Sequence, residues 1–209
     1  MKIILSAFFL LCLIPSQAYA KPTAKKNEHK HATSKLEEAF IGKKNAPVVL
    51  TEYTSITCGH CADFHEKVLP ELKKRFVDTG VLKIVSEDFP LDGVALKLAA
   101  AIRSCCMEQY LELRAVLFKK QNDWIFAKKP LEAAKNILML HGLSYGQFDE
   151  AIKNKTIKGA IMSTYASVEK DIDGTPAFFI NGKEYKGDYT LKAFSAAIEK
   201  AHENVKKQA

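Results

Sequence analysis

Two cysteines separated by two residues, Cys58-Gly59-His60-Cys61, carry the clearest chemical signal in this 209-residue chain. They lie where an apolar strand pattern gives way to a helical one. The unpaired N–H groups and partial positive charge of a helix N-terminus favour a thiolate over a thiol. Cys58, at the more exposed position, is therefore predicted to be the attacking sulfur, and a protonated His60 would lower its pKa further. A stabilised thiolate favours the reduced pair, which makes the disulfide a stronger oxidant.

The motif also has structural alternatives. Half of a zinc ribbon would need a second pair of ligands, but Cys105 and Cys106 are adjacent on a predicted helix. Cys61 and His65 share one helix face, so a Cys-His zinc site is conceivable, although we expect a solvated His65. An inert structural disulfide would usually close a larger loop. The pattern favours redox chemistry over these alternatives.

Strand and helix patterns alternate around the motif. Val48–Thr54 is rich in β-branched residues, which predicts a buried strand. A helical pattern then continues to Asp78, with a kink expected at Pro70, and residues 81–89 predict a second strand. From about 91 to 171 the period is helical throughout. The later signals are a capping box at Ser144 and Gln147, a hairpin turn at Asn181-Gly182, and a final helix from Leu191 capped by Thr190.

A second segment points to the same chemistry. Gly174-Thr175-Pro176 directly precedes a short apolar strand pattern, where proline is ordinarily unfavourable because it cannot donate to the sheet. The segment resembles the cis-proline loop of the thioredoxin fold, which lies opposite the cysteine pair. That resemblance implies a cis Thr175-Pro176 bond and a Thr175 backbone turned toward an extended substrate strand. An ordinary trans turn is the alternative.

The first 20 residues have the pattern of a secretory signal peptide. Lys2 precedes an apolar run over residues 3–14, and Ala18-Tyr19-Ala20 closes it. The run is shorter than the roughly 20 residues that a membrane-spanning helix needs. We expect cleavage after Ala20, a soluble mature chain and a compartment in which disulfides persist.

Residues 21–39 are predicted to be a polar arm, and most of the excess positive charge lies in its first part, residues 21–35. The formal net charge is +7, and residues 21–35 contain five Lys and one Glu. Nucleic-acid binding is therefore not expected of residues 40–209, which are long enough for one domain. His29 and His31 could help an N-terminal amine to hold a metal, but a solvated arm is the expected case.

Together these segments resemble the DsbA family of secreted thiol-disulfide oxidoreductases, particularly its alphaproteobacterial members. The match runs from about Phe40 to the last helix and is strongest in APVVLTEYTSITCGHCADFHEKVLPEL, SEDFPLD and GTPAFFINGK. The resemblance implies an α/β, thioredoxin-like fold. A helical subdomain at about 91–171 would be inserted between the second strand of the motif and the cis-proline strand.

The resemblance also implies roles for individual residues. Cys58 would be the nucleophile and Cys61 the resolving thiol. Glu52 matches a buried acidic residue that is thought to relay protons to the inner cysteine; a surface carboxylate at the strand end is the alternative. No metal is implied, and no cofactor beyond the Cys58–Cys61 disulfide. The implied catalytic residues are Cys58, Cys61, His60, Glu52 and Pro176, and the substrate-binding residues are Thr175 and Pro176.

Several positions depart from the family pattern. Gly59-His60 replaces the Pro-His common among dedicated oxidases and resembles eukaryotic protein disulfide isomerases. Thr175 before the proline resembles the bacterial disulfide isomerase branch. Both changes leave the redox poise open. In related alphaproteobacterial proteins the cysteine that corresponds to Cys105 is often bridged to one in a later helix, but the corresponding position here is Ala151. A disulfide between the adjacent Cys105 and Cys106 would be strained, so we expect both to be buried free thiols.

The expected function is a periplasmic oxidase that introduces disulfides into secreted proteins, with an isomerase or reductase as the alternative. Known bacterial isomerases dimerise through an added domain, for which the arm of residues 21–39 is too short and polar. We expect a monomer, substrates that are folding proteins with free cysteines, and a DsbB-like membrane partner that reoxidises the pair. A metal-binding or chaperone-like module is the non-enzymatic alternative.

Overall fold

The computed structural model describes residues 36–106 and 109–208. Within these residues the chain forms five strands, nine α-helices and one π-helical segment. In chain order they are β1 (Ala39–Ile41), β2 (Val48–Thr54), α1 (Gly59–Lys67), α2 (Leu69–Leu72), the π-helical segment (Lys73–Val77), β3 (Leu82–Asp88), α3 (Gly93–Cys105), α4 (Tyr110–Lys119), α5 (Gln121–Trp124), α6 (Pro130–Leu140), α7 (Tyr145–Ala151), α8 (Lys155–Val168), β4 (Ala177–Ile180), β5 (Lys183–Glu184) and α9 (Leu191–Gln208).

The sheet brings the C-terminal end of β2 next to the N-terminal end of β4. Its strand order is β1-β3-β2-β4-β5, with β2 parallel to β3 and the other neighbouring pairs antiparallel. Tyr53 of β2 pairs with Ala177 of β4. Because these strands run in opposite directions, the loop after β2 and the loop before β4 meet at one end of the sheet. Those loops carry Cys58 and Pro176.

Two apolar clusters hold the sheet and the inserted helices. In the first, the rings of Phe64 (α1), Phe178 (β4) and Phe194 (α9) have centroids 4.6 to 5.4 Å apart. Burying each ring stabilises the fold by about 1.5–3 kcal/mol, and Phe64 ties the helix that carries the cysteine motif to the sheet. In the second cluster, Trp124 is fully buried and donates its indole N–H to the Leu117 carbonyl at 2.9 Å.

The thioredoxin-like fold with a helical insertion is confirmed. Helices α3 to α8 lie between β3 and β4, over 93–168, close to the predicted limits. The predicted kink is a break: α1 ends at Lys67, and Pro70 lies in the first turn of α2, where no N–H is needed. Strand β1 was not predicted, because three residues are too few to show a period.

The local signals at the turns are also confirmed. Asn181 and Gly182 both have positive φ, 48° and 78°, as the tight hairpin turn requires. Ser144 and Gln147 form the reciprocal capping box, and the Thr190 hydroxyl accepts from the main-chain N–H of Ala193 at 3.2 Å.

The predicted signal peptide and most of the arm, including His29 and His31, lie outside the described residues. Of the predicted arm, residues 36–39 are described, and Ala39 is buried as the first residue of β1. Among the helices of the described ranges, none combines the length and apolar character needed to cross a bilayer.

Candidate active site

Cys58 is the N-cap residue of α1, and both cysteines of the motif are free thiols. The Cys58 Sγ accepts a hydrogen bond from the main-chain N–H of Cys61 at 3.3 Å. The side-chain amide of Gln121 donates to the carbonyl oxygens of Ile56 (2.8 Å) and Cys58 (3.1 Å), which fixes the loop before the helix. Cys58 is 8% exposed and Cys61 is fully buried, so the sulfur nearer to solvent is that of Cys58.

The surroundings of the two sulfurs drive their pKa values apart. The hydrogen bond from the Cys61 side chain is the largest cause that lowers the pKa of Cys58, to about 6. The Thr175 side chain and the main-chain N–H groups of Cys61 and His60 act in the same direction, while burial opposes them. Burial is the largest cause that raises the pKa of Cys61, and the Cys58 sulfur and the Glu52 carboxylate add to it. At neutral pH the reduced pair is therefore a Cys58 thiolate beside a Cys61 thiol.

The loop before β4 touches Cys58. The Cys58 Sγ lies 3.2 Å from the carbonyl oxygen of Thr175, and the Thr175-Pro176 bond is cis, as expected. The Tyr189 hydroxyl donates to the Pro176 carbonyl at 2.9 Å. The Thr175 hydroxyl is buried without a hydrogen bond of ordinary geometry, yet it lies close enough to Cys58 to favour the thiolate. The two segments singled out in the sequence therefore meet at one sulfur.

An open groove of about 500 Å³ runs beside this contact. Its walls come from the loop before β4, from Glu184 and Tyr189, and from the exposed side chain of His60. A groove of this kind, next to the more accessible of the two sulfurs and the edge of a loop, can hold an extended peptide.

Glu52 is fully buried at the end of a charged network. The His65 Nε2 lies 2.9 Å from Oε1 and 3.1 Å from Oε2. Arg114 Nη2 lies 3.9 Å from Oε2 and donates at 2.5 Å to Ser86 Oγ, which in turn donates to Oε2 at 3.5 Å. Burial acts to raise the pKa of Glu52, but His65 and Arg114 outweigh it and hold this pKa below its usual range. Glu52 is therefore a buried carboxylate and not a surface one.

The network continues into the inserted helices. Asp88 of β3 accepts hydrogen bonds from Arg103 Nε and from the Tyr110 hydroxyl, the latter at 2.5 Å. The guanidinium groups of Arg103 and Arg114 lie 4.2 and 5.3 Å from the centroid of the Tyr110 ring. These contacts fix α3 and α4 against the strand that neighbours β2.

Two expectations about histidines need correction or refinement. The expectation of a solvated His65 is wrong, because its side chain is only 6% exposed and its ring packs 4.4 Å from that of Phe118. Phe118 belongs to the same buried cluster as Cys58 and Cys61. His60 is exposed, and it is its main-chain N–H that lowers the pKa of Cys58, whereas the sequence pattern had assigned that effect to a protonated imidazole.

The sequence analysis did not identify several residues of the site, among them Arg114, Phe118, Gln121 and Tyr189. Most of them come from inserted helices or loops with no motif of their own. Arg114 did carry a signal, because it lies four residues after Tyr110 on the apolar face of its helix. A charged residue on such a face indicates a buried ion pair.

Cys105 and Cys106 are free thiols, as expected, but they are half-buried and not fully buried. The Cys105 thiol donates to the Ala101 carbonyl at 2.8 Å, and burial together with Cys106 raises its pKa to about 12. Within residues 36–106 and 109–208, no group of three or more Cys, His, Asp or Glu side chains is arranged to hold a metal.

Comparison with known proteins places the chain in a family. The family model described as Thioredoxin matches residues 34–200. A Rickettsia felis protein named as a protein-disulfide oxidoreductase is 30% identical over 205 residues, which cover 93% of this chain and 70% of that protein. The chain belongs to the thioredoxin family. The crystal structure of Wolbachia pipientis alpha-DsbA1 matches it with a TM-score of 0.73 and 29% identity, over 82% of this chain and 94% of that one. The chain is thus DsbA-like, which confirms the resemblance.

A second relative differs in length. The Rickettsia conorii protein-disulfide oxidoreductase is 32% identical over 82% of this chain, which spans only 63% of that protein. The names of these relatives and of the solved structure refer to disulfide chemistry and support thiol-disulfide exchange as the reaction class.

Proposed function

We propose that this protein is a thiol-disulfide oxidase that introduces disulfides into exported proteins through the Cys58–Cys61 pair. The observation that carries the proposal is the divergence of the two pKa values, about 6 for Cys58 and raised for Cys61. A Cys58 thiolate that is stable at neutral pH stabilises the reduced pair. The oxidised pair is therefore a strong acceptor of electrons from substrate thiols.

The exchange begins when a substrate thiolate attacks Cys58 Sγ of the oxidised pair. Its electron pair forms the mixed disulfide, the Cys58–Cys61 bond breaks, and Cys61 leaves as a thiolate that takes up a proton. A second substrate thiolate then attacks the substrate sulfur, closes the substrate disulfide and expels Cys58 as a thiolate. Two electrons have passed to the pair. If no second substrate thiol attacks the mixed disulfide, Cys61 attacks Cys58 Sγ, re-forms the Cys58–Cys61 disulfide and releases the first substrate sulfur as a thiolate.

The low pKa of Cys58 makes it a good leaving group in the second step. The contacts that favour its thiolate, from Cys61, Thr175 and the N–H groups at the start of α1, therefore speed the release of the oxidised substrate. We assign His60 to this set through its main-chain N–H.

Substrate is proposed to bind in the groove beside Thr175 and Pro176. The Thr175 carbonyl lies 3.2 Å from Cys58 Sγ, so a chain extended along this loop would bring its own sulfur to the same point. Main-chain recognition of an extended strand is insensitive to sequence, which suits an enzyme that acts on many unfolded proteins.

An isomerase or reductase is the second candidate. The observations that favour it are the Gly59-His60 dipeptide and Thr175 before the proline, both of which resemble isomerases. The same thiolate would then attack wrong disulfides in substrates, and the pair would work in its reduced form.

We further propose that the protein works as a monomer in the periplasm, after export directed by residues 1–20. Each turnover leaves the pair reduced, so a membrane partner of the DsbB type would be needed to remove the electrons.

The test uses reduced and scrambled ribonuclease as substrates. The oxidised protein should rapidly oxidise the reduced ribonuclease, with little reshuffling of the scrambled one by the reduced protein. Cys58→Ser should abolish exchange, and Cys61→Ser should accumulate mixed disulfides on non-reducing gels. Efficient reshuffling without oxidation would overturn the oxidase in favour of the isomerase, and normal turnover by Cys61→Ser would contradict the assigned roles.

A further inference from the structure

His65 separates the buried Glu52 carboxylate from a second cavity in the protein. This cavity, of about 320 Å³, is lined by residues of β1, β3, α1, α2, the π-helical segment and α4, and it shares no lining residue with the substrate groove. His65 and Arg114 both contribute to its wall. The His65 ring also contacts Glu52. The two carboxylate oxygens of Glu52 lie 2.9 and 3.1 Å from the Nε2 atom of His65.

Cys61 cannot exchange its proton directly with solvent. It is fully buried, and Phe118 lies against both the cysteine pair and the His65 ring. Yet the proposed exchange requires Cys61 to accept a proton when it is expelled and to lose one when it attacks. Some buried group must therefore supply and remove that proton.

Glu52 and Thr54 provide a connection from Cys61 to His65. Cys61 and His65 lie one turn apart on α1, so the Glu52 carboxylate that contacts His65 also lies near Cys61, and its charge raises the pKa of that thiol. The Thr54 hydroxyl is buried without a hydrogen bond of ordinary geometry, and it lies close enough to both Cys61 and Glu52 to lower the pKa of each. A hydroxyl both donates and accepts, so it can pass a proton between them.

We propose that His65 is a relay residue that carries protons between the cavity and Glu52, and thereby controls how fast Cys61 gains or loses its proton. The inference rests on the proposed exchange through Cys58 and Cys61. When Cys61 is expelled, the proton reaches it from His65 by way of Glu52, and water in the cavity reprotonates the imidazole. When Cys61 attacks, the proton moves in the opposite direction. His65 acts through Glu52 and does not touch the reacting sulfurs.

The charges around His65 suit this role. Arg114 stays charged and balances Glu52, so a proton on His65 adds one positive charge near Cys61 at the stage when Cys61 is a thiolate. An imidazole can accept a proton at one ring nitrogen and release one from the other, so His65 can pass protons between two sides of its ring. The titratable and charged groups that face it are Glu52 from β2, Cys61 from its own helix, Glu112 and Arg114 from α4, and Lys73 from the π-helical segment.

The test isolates the Cys61 step with the disulfide reagent DTNB, in protein whose other cysteines are replaced by serine. The first release of thionitrobenzoate reports attack by Cys58. The second, independent of reagent concentration, reports attack by Cys61 on the mixed disulfide. His65→Gln keeps an amide that can donate to Glu52 but cannot titrate. It should slow the second release about 100-fold near neutral pH, the lower end of what a positioned acid–base group contributes.

The first release should not change in His65→Gln, and the pH dependence of the second should flatten. His141→Gln, which removes an exposed imidazole at the end of α6, is the matched control and should behave like the unmodified protein. In His65→Ala, free imidazole entering through the cavity should restore the second release. A structural role alone would not produce this rescue.

A second release in His65→Gln with the rate and pH profile of the unmodified protein would overturn the proposal. So would a slow second release in His65→Ala that imidazole does not restore. If the unmodified protein itself showed no rapid first and second release, the proposed exchange through Cys58 and Cys61 would fail, and the two failures are thus distinguishable.

Discussion

Removal of the Cys61 thiol should raise the pKa of Cys58. The hydrogen bond from that thiol is the largest cause of the low pKa of Cys58, about 6 against an ordinary value of 9.0. A hydrogen bond to a charged acceptor contributes about 1.5–3 kcal/mol, and one pH unit corresponds to about 1.4 kcal/mol. Cys61→Ala should therefore raise the pKa of Cys58 by about 1 to 2 pH units. In Cys61→Ala the pKa of Cys58 should still lie below 9.0, because the N–H groups at the start of α1 and Thr175 continue to favour the thiolate.

The measurement is a pH titration of the thiolate by its ultraviolet absorbance, checked by the rate of alkylation with iodoacetamide. Cys61→Ser is the matched variant, since its hydroxyl can still donate to the Cys58 sulfur, and the rise should be smaller. If Cys61→Ala left the pKa of Cys58 near 6, the thiol–thiolate hydrogen bond would not be its main cause. The main-chain N–H groups would then have to account for the whole effect.

Three further predictions concern the same site and its support. Thr175→Val should raise the pKa of Cys58 by less than Cys61→Ala does, without loss of thermal stability, because the hydroxyl makes no ordinary hydrogen bond; an unchanged titration would contradict this. Folding lowers the pKa of Cys58 to about 6, so the folded state is stabilised while Cys58 is a thiolate. The free energy of unfolding in urea should therefore fall for the reduced protein, relative to Cys58→Ser, as the pH is lowered from 8 through 6. The loss should be about 2 kcal/mol, after discounting for solvent screening near the surface; a stability difference independent of pH would refute it. Arg103→Met should cost about 3–5 kcal/mol in the same assay, because it leaves Asp88 buried without its guanidinium partner; a loss below about 1 kcal/mol would exclude that role.

The sequence predicted the parts of this site that depend on local chemistry. Cys58 and Cys61 stand at a strand-to-helix junction whose position follows from hydrophobic period alone. Pro176 precedes a buried strand, where few local structures accept it. Both signals involve neighbours in the chain, and each was placed correctly relative to the elements of the fold.

The parts that depend on packing between distant segments could not be predicted in the same way. His65 has the sequence context of an exposed helix residue, and its burial follows from Phe118, which lies 53 positions later. The Glu52 network needs Arg114 and Ser86 from other elements, and only the register of the sheet and the seating of the insertion bring them together. No local period encodes those distances.

The redox equilibrium of the Cys58–Cys61 pair with glutathione tests the central claim most directly. With the pKa of Cys58 near 6 and that of Cys61 raised, the pair should remain largely reduced even in mixtures rich in oxidised glutathione. Its potential should lie well above the roughly −270 mV of thioredoxin, and a value near that figure would contradict the account.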